Sequence, residues 1–473
     1  MNPKFKEEIK SGLANKRLRT TLDRVMTGLR QRRRDAFPDQ DALEALRERG
    51  RLIRQKTLSK LPELLEQLEK KCTENGIRVH WAENAQEANE ITLGIIQEKN
   101  ATQVVKGKSM LSEEIHLNTF LEQQDIEVVE TDLGEFIIQL AQEPPSHIVV
   151  PSVHKSVQEI AGLFKDKLQK DEYTEDVDQL TGMARQTMRQ NFERAQVGIT
   201  GVNFAVAETG TICLVENEGN GRYCSSLPQV HIAMMGIEKV VENLTDVPPL
   251  LSLLTRSATG QPITTYFNMI SSPRKVDEKD GPEEVHLILV DNGRTRIHEG
   301  DALSDVMRCI RCGACMNHCP VYVRIGGHAY GTTIPGPIGE VLMPQLNGMK
   351  QDGHLCTAST LCGACSEVCP VQIPIPDLIS KLRHKSVNAD EESNVPESGS
   401  QRTMSESLAW KGWATANASP TLWRTQRNLM GKFGNQLPSG FPVMKEWTRY
   451  RTAPKIAKSS LHDLVKKNGI DEK

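Results

Sequence analysis

Residues 309–320 read CIRCGACMNHCP, and residues 361–370 read LCGACSEVCP. These stretches hold seven of the eleven cysteines, and with Cys356 eight fall between positions 309 and 369. A chain so arranged must fold around whatever those sulfurs share. The first motif, Cys309, Cys312, Cys315 and Cys319 followed by Pro320, has the C-x-x-C-x-x-C-x-x-x-C-P spacing of bacterial two-cluster ferredoxins, in which three cysteines wrap one [4Fe-4S] cube and the fourth crosses to the other. Two intervening residues let a tight loop turn successive thiolates toward three corners of a cube. Gly313, Ala314, Gly363 and Ala364 are small enough for backbone N–H groups to come close to the cluster's sulfides. Pro320 and Pro370 lack an N–H and send the chain away from the loop.

Two other uses of clustered cysteines fit less well. Structural zinc takes four tetrahedral ligands from separated C-x-x-C pairs, and an unbroken run of four closing on Cys-Pro does not supply them. Disulfides belong to oxidising compartments. The N-terminal stretch MNPKFKEEIKSGLANKRLRTTLDRVMTGLRQRRR has no apolar central region and carries Glu7, Glu8 and Asp23. It reads as a basic, solvated helix and not as an export signal, so a reducing cytosol is expected. The formal charge of −3 argues against a nucleic-acid binder. No apolar run approaches the roughly 18–20 residues of a transmembrane helix.

The second motif departs from the first. A perfect copy would place cysteine at 359, where Ser359 stands, and Cys356 lies three residues earlier. The spacing assigns Cys309, Cys312, Cys315 and Cys369 to the first cluster. Cys319, Cys362 and Cys365 go to the second, with Cys356 as candidate fourth ligand. If Cys356 does not reach, the fourth iron is weakly held. About thirty-six residues between the halves favour an α-helical ferredoxin domain. Cys72, Cys213 and Cys224 read as buried apolar thiols.

A length of 473 residues suggests two or three domains. Residues 1–70 read as an N-terminal helical segment. From 71 to 292, β-rich runs at 76–82, 101–106, 125–131 and 146–152 alternate with helical stretches around 85–98, 112–123, 133–142 and 155–168, and further strands are expected at 201–217, 229–235 and 283–291. That alternation predicts crossover units and a largely parallel sheet. Residues 293–385 form the cysteine-bearing helical domain, 386–402 a polar linker, and 403–473 a tail holding Trp410, Trp413, Trp423 and Trp447.

The stretches KGKSMLSEEIHLN (106–118), ETDLGEFIIQLAQEPPSHIVVPSVHK (130–155) and AETGTICLVENEG (207–219), with the two cysteine motifs and the tail TAPKIAKSSLHDL (452–464), resemble the lactate utilization protein B family. That family is the iron-sulfur member of a three-protein bacterial system oxidising L-lactate to pyruvate. The resemblance implies a LUD α/β domain, related to the NagB/RpiA/CoA-transferase-like fold, fused to an α-helical two-cluster ferredoxin domain with two [4Fe-4S] clusters. It carries the ligand roles onto Cys309, Cys312, Cys315, Cys319, Cys362, Cys365 and Cys369, and implies lactate utilization proteins A and C as partners, with an unknown electron acceptor.

The α/β residues alone leave their role open. Glu208, Thr209, Gly210 and Thr211 form either an anion-binding turn or a tight hairpin turn. Lys106, Lys108, Glu130, Asp132, His147 and His154 sit near expected strand ends, the side where open α/β sheets bind ligands, and charged residues there are also ordinary loop residues. No G-x-G-x-x-G motif opens a helix after a strand. The catalytic residues, if any, are unknown. Three functions compete: an electron relay, an enzyme whose α/β domain converts a small carboxylate or acyl substrate, and a binding module with structural or sensory clusters.

Overall fold

The computed structural model describes residues 3–168, 173–300, 303–389, 394–436, 448, 452, 455–459 and 461–469. It separates into two units, Met1–Gln401 and Arg402–Lys473.

Among the described residues of the first unit lie ten strands: β1 Arg78–Ala82, β2 Gln103–Lys106, β3 Glu127–Glu130, β4 Val197–Gly201, β5 Phe204–Val206, β6 Thr211–Glu216, β7 Val230–Gly236, β8 Val240–Val241, β9 Tyr266–Ile270 and β10 Glu284–Val290. Six form a parallel sheet in the order β1-β10-β7-β4-β2-β3. Val104, Val197, Val230 and Ile288, on four of its strands, are fully buried, as expected for a sheet covered on both faces. The helix Ala85–Glu98 covers one face, and the helices Leu133–Ala141, Val157–Lys167 and Val177–Arg194 cover the other. Their starts are capped by Asn84, Asp132, Ser156 and Asp176, each accepting a backbone N–H three residues on. The second sheet runs β8-β5-β6-β9, and residues 207–210 make the turn of its β5–β6 hairpin.

The N-terminal segment differs from a solvated basic arm. Helices Pro3–Ala14, Lys16–Ala36, Gln40–Leu58 and Leu61–Glu74 pack into the unit. Leu22, Met26, Leu29 and Arg33 recur every three or four residues along Lys16–Ala36 and are all buried. One continuous apolar core joins these helices, the second sheet and the cysteine loops, reaching from Phe5 to Val395.

Three other expectations differ locally. Residues 146–152 are a loop, not a strand. The backbone N–H groups of Val149 and Val150 go to His147 Nδ1, at 3.0 and 3.2 Å, instead of to a neighbouring strand. The helix expected over 112–123 is two short helices, Met110–Glu114 and Leu117–Glu122, broken where His116 takes φ 54°. In the segment read as a linker, residues 394–401 pack on the first unit: Val395 is buried, Met349 N–H donates to Pro396 O, and Gln401 Nε2 donates to Met349 O.

The second unit contains helices Met404–Ala418, Pro420–Phe433 and Leu461–Lys467. Trp410 and Trp413 meet edge to face with ring centroids 5.7 Å apart. Trp447 lies outside the described residues.

Candidate metal centre

The two cysteine loops are built alike. Each places two residues in the left-handed region, Arg311 and Gly313 (φ 61° and 74°) in the first, Leu361 and Gly363 (φ 55° and 86°) in the second. Each then enters a short helix, Ala314–His318 or Ala364–Glu367. The positive φ values turn the loop back so that flanking cysteines share one side. At Gly313 a side chain is excluded twice over, since a Cβ would also lie 3.1 Å from both His147 Cε1 and Val149 Cγ2.

Cys309, Cys312, Cys315 and Cys369 line one small cavity, walled by Ile148, Ile338 and Ile373. Cys319 lies within electrostatic reach of Cys362, and Cys365 of Cys319. Cys315 lies within electrostatic reach of Cys365, so the two sets are neighbours. The fold thus trades Cys369 to the first set and leaves Cys319 with the second. All eight cysteines are free thiols. Backbone N–H groups of Arg311, Tyr322 and Ile373 donate to the sulfurs of Cys309, Cys319 and Cys369 at 3.3–3.4 Å. Burial pushes the thiols of Cys312, Cys319 and Cys365 up to about 12, so their thiolates need a metal's charge to form near neutrality. Converging sulfurs, N–H donors aimed at them and apolar walls are what an iron-sulfur cluster requires.

Cys356 is placed differently. It is wholly buried, its thiol donates to Glu340 O at 3.5 Å, and Glu340, Arg383 and Asp352 are the charged groups that act most strongly on it. Ser359 instead occupies the position equivalent to Cys309. Leu361 N–H donates to Ser359 Oγ at 3.2 Å, just as Arg311 N–H donates to Cys309 Sγ at 3.4 Å. Arg383 fixes this segment by donating to Cys356 O and Ser359 O, both at 2.7 Å.

Several groups around the sulfurs had no signal in the cysteine spacing. Arg47 donates to Cys369 O (2.9 Å) and Ser366 O (3.1 Å), and Arg33 to Val368 O (3.2 Å). Buried guanidiniums beside thiolates offset their negative charge. His147, buried and held neutral by that burial at about 4, accepts two N–H groups on Nδ1 and so donates from Nε2 to Asn317 Oδ1 at 3.0 Å. This bond ties the loop 146–152 to the first cysteine motif, and Tyr322 Oη–H adds a 2.6 Å bond to Ser146 O.

The other strand-end residues divide. Lys106 is sealed in an ion pair with Glu130 at 2.7 Å and Glu113 at 3.3 Å. His154 pairs with Glu143 at 2.7 Å near His328, but Lys155 already holds the same carboxylate. Gly210, at the 208–211 turn, lies against the backbone of Lys71 and Cys72, and Glu208 accepts the Leu244 N–H. That turn is a seated hairpin.

Lys108 and Asp132 line a cleft of about 350 Å³ at the carboxyl ends of β2, β4 and β7. Arg311, from the first cysteine loop, reaches into its lining beside Glu238 and Lys239. Arg294 and Arg311 hold the Glu238 carboxyl down at about 2 despite its burial. Opposite charges in the lining come from Asp132, Glu216 and Glu218. Burial, with Asp132 beside it, pushes Glu218 up to about 7.

Comparison with known proteins places these parts. The LUD domain model matches residues 65–290, the 4Fe-4S dicluster domain model residues 305–373, and the model for the C-terminal part of lactate utilisation protein B residues 381–470. Lactate utilization protein B of Bacillus velezensis is 42% identical over 98% of this chain and 96% of its own length. Lactate utilization protein B of Bacillus subtilis is 41% identical over 97% and 95%. An Escherichia coli protein named "Uncharacterized electron transport protein YkgF" is 41% identical over 100% and 98%.

Proposed function

The chain belongs to the lactate utilization protein B family, and from that premise we propose that it is the iron-sulfur electron-transfer subunit of a system oxidising L-lactate to pyruvate, working in the bacterial cytoplasm with lactate utilization proteins A and C and a further electron acceptor. Bound [4Fe-4S] clusters exchange single electrons, and two neighbouring ones form a relay. The observation that carries the reading is the exchange of cysteines: Cys369 of the second motif faces Cys309, Cys312 and Cys315, while Cys319 of the first falls with Cys362 and Cys365.

In this reading Cys309, Cys312, Cys315 and Cys369 hold the first cluster. Cys319, Cys362 and Cys365 hold three irons of the second, and Ser359 Oγ stands at the fourth corner, with Cys356 as the competing residue. Arg33 and Arg47 offset the first cluster's charge, and the loop 146–152, pinned through His147 to Asn317, keeps water from it. Cys362 is the exposed member of the second set, which makes that side the exit toward a partner.

A strain that depends on this protein for growth on L-lactate tests the role. Cys312→Ser should remove the first cluster's spectroscopic signal and stop growth, and growth with that cluster missing would end the relay reading. The cleft beside Arg311 favours a second reading, an α/β domain that itself converts a small carboxylate. Purified, cluster-loaded protein with L-lactate and an artificial acceptor separates the two, since a relay alone shows no turnover.

A further inference from the structure

We propose that the cleft at the carboxyl ends of β2, β4 and β7 is a binding site for one small organic carboxylate, placed so that its charge is felt by the first cluster. The inference rests on the cluster assignment above for its electronic consequence, but not for the binding itself.

The charges of the cleft select the ligand. Arg294 is matched by Glu114 (2.9 Å) and Glu238 (2.7 Å), and Arg311 by Glu238 (3.4 Å). Lys108 donates to Val149 O at 2.9 Å and lies 3.7 Å from Glu135. Among the described residues Lys239 makes no hydrogen bond or ion pair, although it lines the cleft and is partly buried. Glu238 lies within electrostatic reach of Lys239, but that carboxylate is already held by Arg294 and Arg311, so the ammonium can take one further anionic charge. The acidic side of the cleft, Asp132, Glu216 and Glu218, disfavours a phosphate dianion. A volume of about 350 Å³ suits a molecule of a few heavy atoms. Thr200, Asn203 and Thr255 line the same space and supply neutral hydrogen-bonding groups for the remainder of such a ligand.

The location supplies the coupling. Lys239 lies within electrostatic reach of Cys309, and Arg311 touches both sides, its backbone N–H on Cys309 Sγ and its side chain in the cleft. An anion seated on Lys239 cancels positive charge next to the first cluster and so disfavours adding an electron there. By linkage, an electron on that cluster weakens the anion's binding by the same factor. Lactate and pyruvate are both small carboxylate monoanions, so the site can report the supply of either to the relay.

The test uses full-length protein loaded anaerobically, with iron and sulfide counted first. Pyruvate, L-lactate, acetate and inorganic phosphate are titrated calorimetrically, and the first cluster's midpoint potential is followed by electron paramagnetic resonance at each ligand level. At least one carboxylate should bind with a stoichiometry of one and lower that midpoint, while phosphate does not bind. Lys239→Met should weaken binding roughly tenfold or more, the loss of one charge-assisted contact, and abolish the shift. Lys239→Arg, which keeps the charge, should retain part of both. Iron-replete wild-type protein that binds no carboxylate, or that prefers phosphate, overturns the ligand assignment and leaves the relay intact. Unchanged binding in folded Lys239→Met also overturns it. Carboxylate binding to protein that cannot hold iron would keep the cleft and remove the relay.

Discussion

At position 359 an oxygen stands where the first motif has a sulfur, and the backbone treats the two alike. The Leu361 N–H points at Ser359 Oγ as the Arg311 N–H points at Cys309 Sγ. Cys356→Ala is therefore expected to leave the iron content and the second cluster's resonance unchanged. Ser359→Cys should protect that cluster against oxidative loss of its fourth iron. Loss of the second cluster in Cys356→Ala would reverse the assignment. The glycines of the two loops make a second pair. Gly313→Ala meets both a left-handed backbone and close contacts with His147 and Val149, whereas Gly363→Ala meets only the backbone. The second should cost about 1–2 kcal/mol in urea denaturation, and the first clearly more, together with lower occupancy of the first cluster. The proposed roles of the seven regular cysteines come from the sequence, because cube geometry dictates local spacing. Ser359 showed only as a gap, since the spacing does not say that the Leu361 N–H is aimed at its Oγ.

Helices 16–36 and 40–58 carry the largest surprise among the elements. Their arginines look like the charged face of a surface arm, yet Arg33 and Arg47 grip carbonyls of the second cysteine motif more than 300 residues away, and Arg54 donates to Val240 O at 2.9 Å, Met307 O at 3.2 Å and Glu238 O. Guanidinium bonds to buried carbonyls are each worth roughly 1–3 kcal/mol when the alternative is an unmet acceptor. Arg47→Met should lower stability by about that amount and make the first cluster harder to reduce, because a positive charge near its sulfurs is gone. A redox titration that finds the first midpoint unmoved would show that Arg47 acts on packing alone. The apolar positions Leu22, Met26 and Leu29 announced one buried helical face. What that face packs against is long-range information that local periodicity does not hold. The loop 146–152 failed in the opposite sense: its β-branched run favours a strand, but His147 takes the N–H groups a strand would have shared.

Across the whole molecule, buried titratable groups set opposing pH limits. His147, His286 and His318 are held by burial at about 4, and His231 at about 3. The folded pKa values lie below the unfolded value near 6.5, so the unfolded chain binds protons the folded chain refuses. Their contribution is intact above pH 6.5 and is lost as pH falls toward 4. Glu340 runs the other way, because burial pushes its carboxyl up to about 8. The folded state keeps a proton that the unfolded state releases, and stability declines as pH rises from about 4.5 to 8. Urea midpoints of iron-replete protein should fall on the acid side, and Glu340→Gln should gain on the wild type steadily between pH 5 and 8. A difference that does not vary with pH would mean Glu340 is charged in the fold. The sequence by itself determined the alternating α/β pattern with its parallel sheet and the sulfur spacing, since helix period, strand burial and cube geometry are all written over a few neighbouring residues. Only the tertiary structure decided that buried N-terminal arginines flank the cysteine site, that Ser359 mirrors Cys309, and that a cleft lined by Lys239 opens beside Arg311. Those facts depend on which distant surfaces come to share one core, and burial, not local sequence, turns an ordinary charge into a functional one.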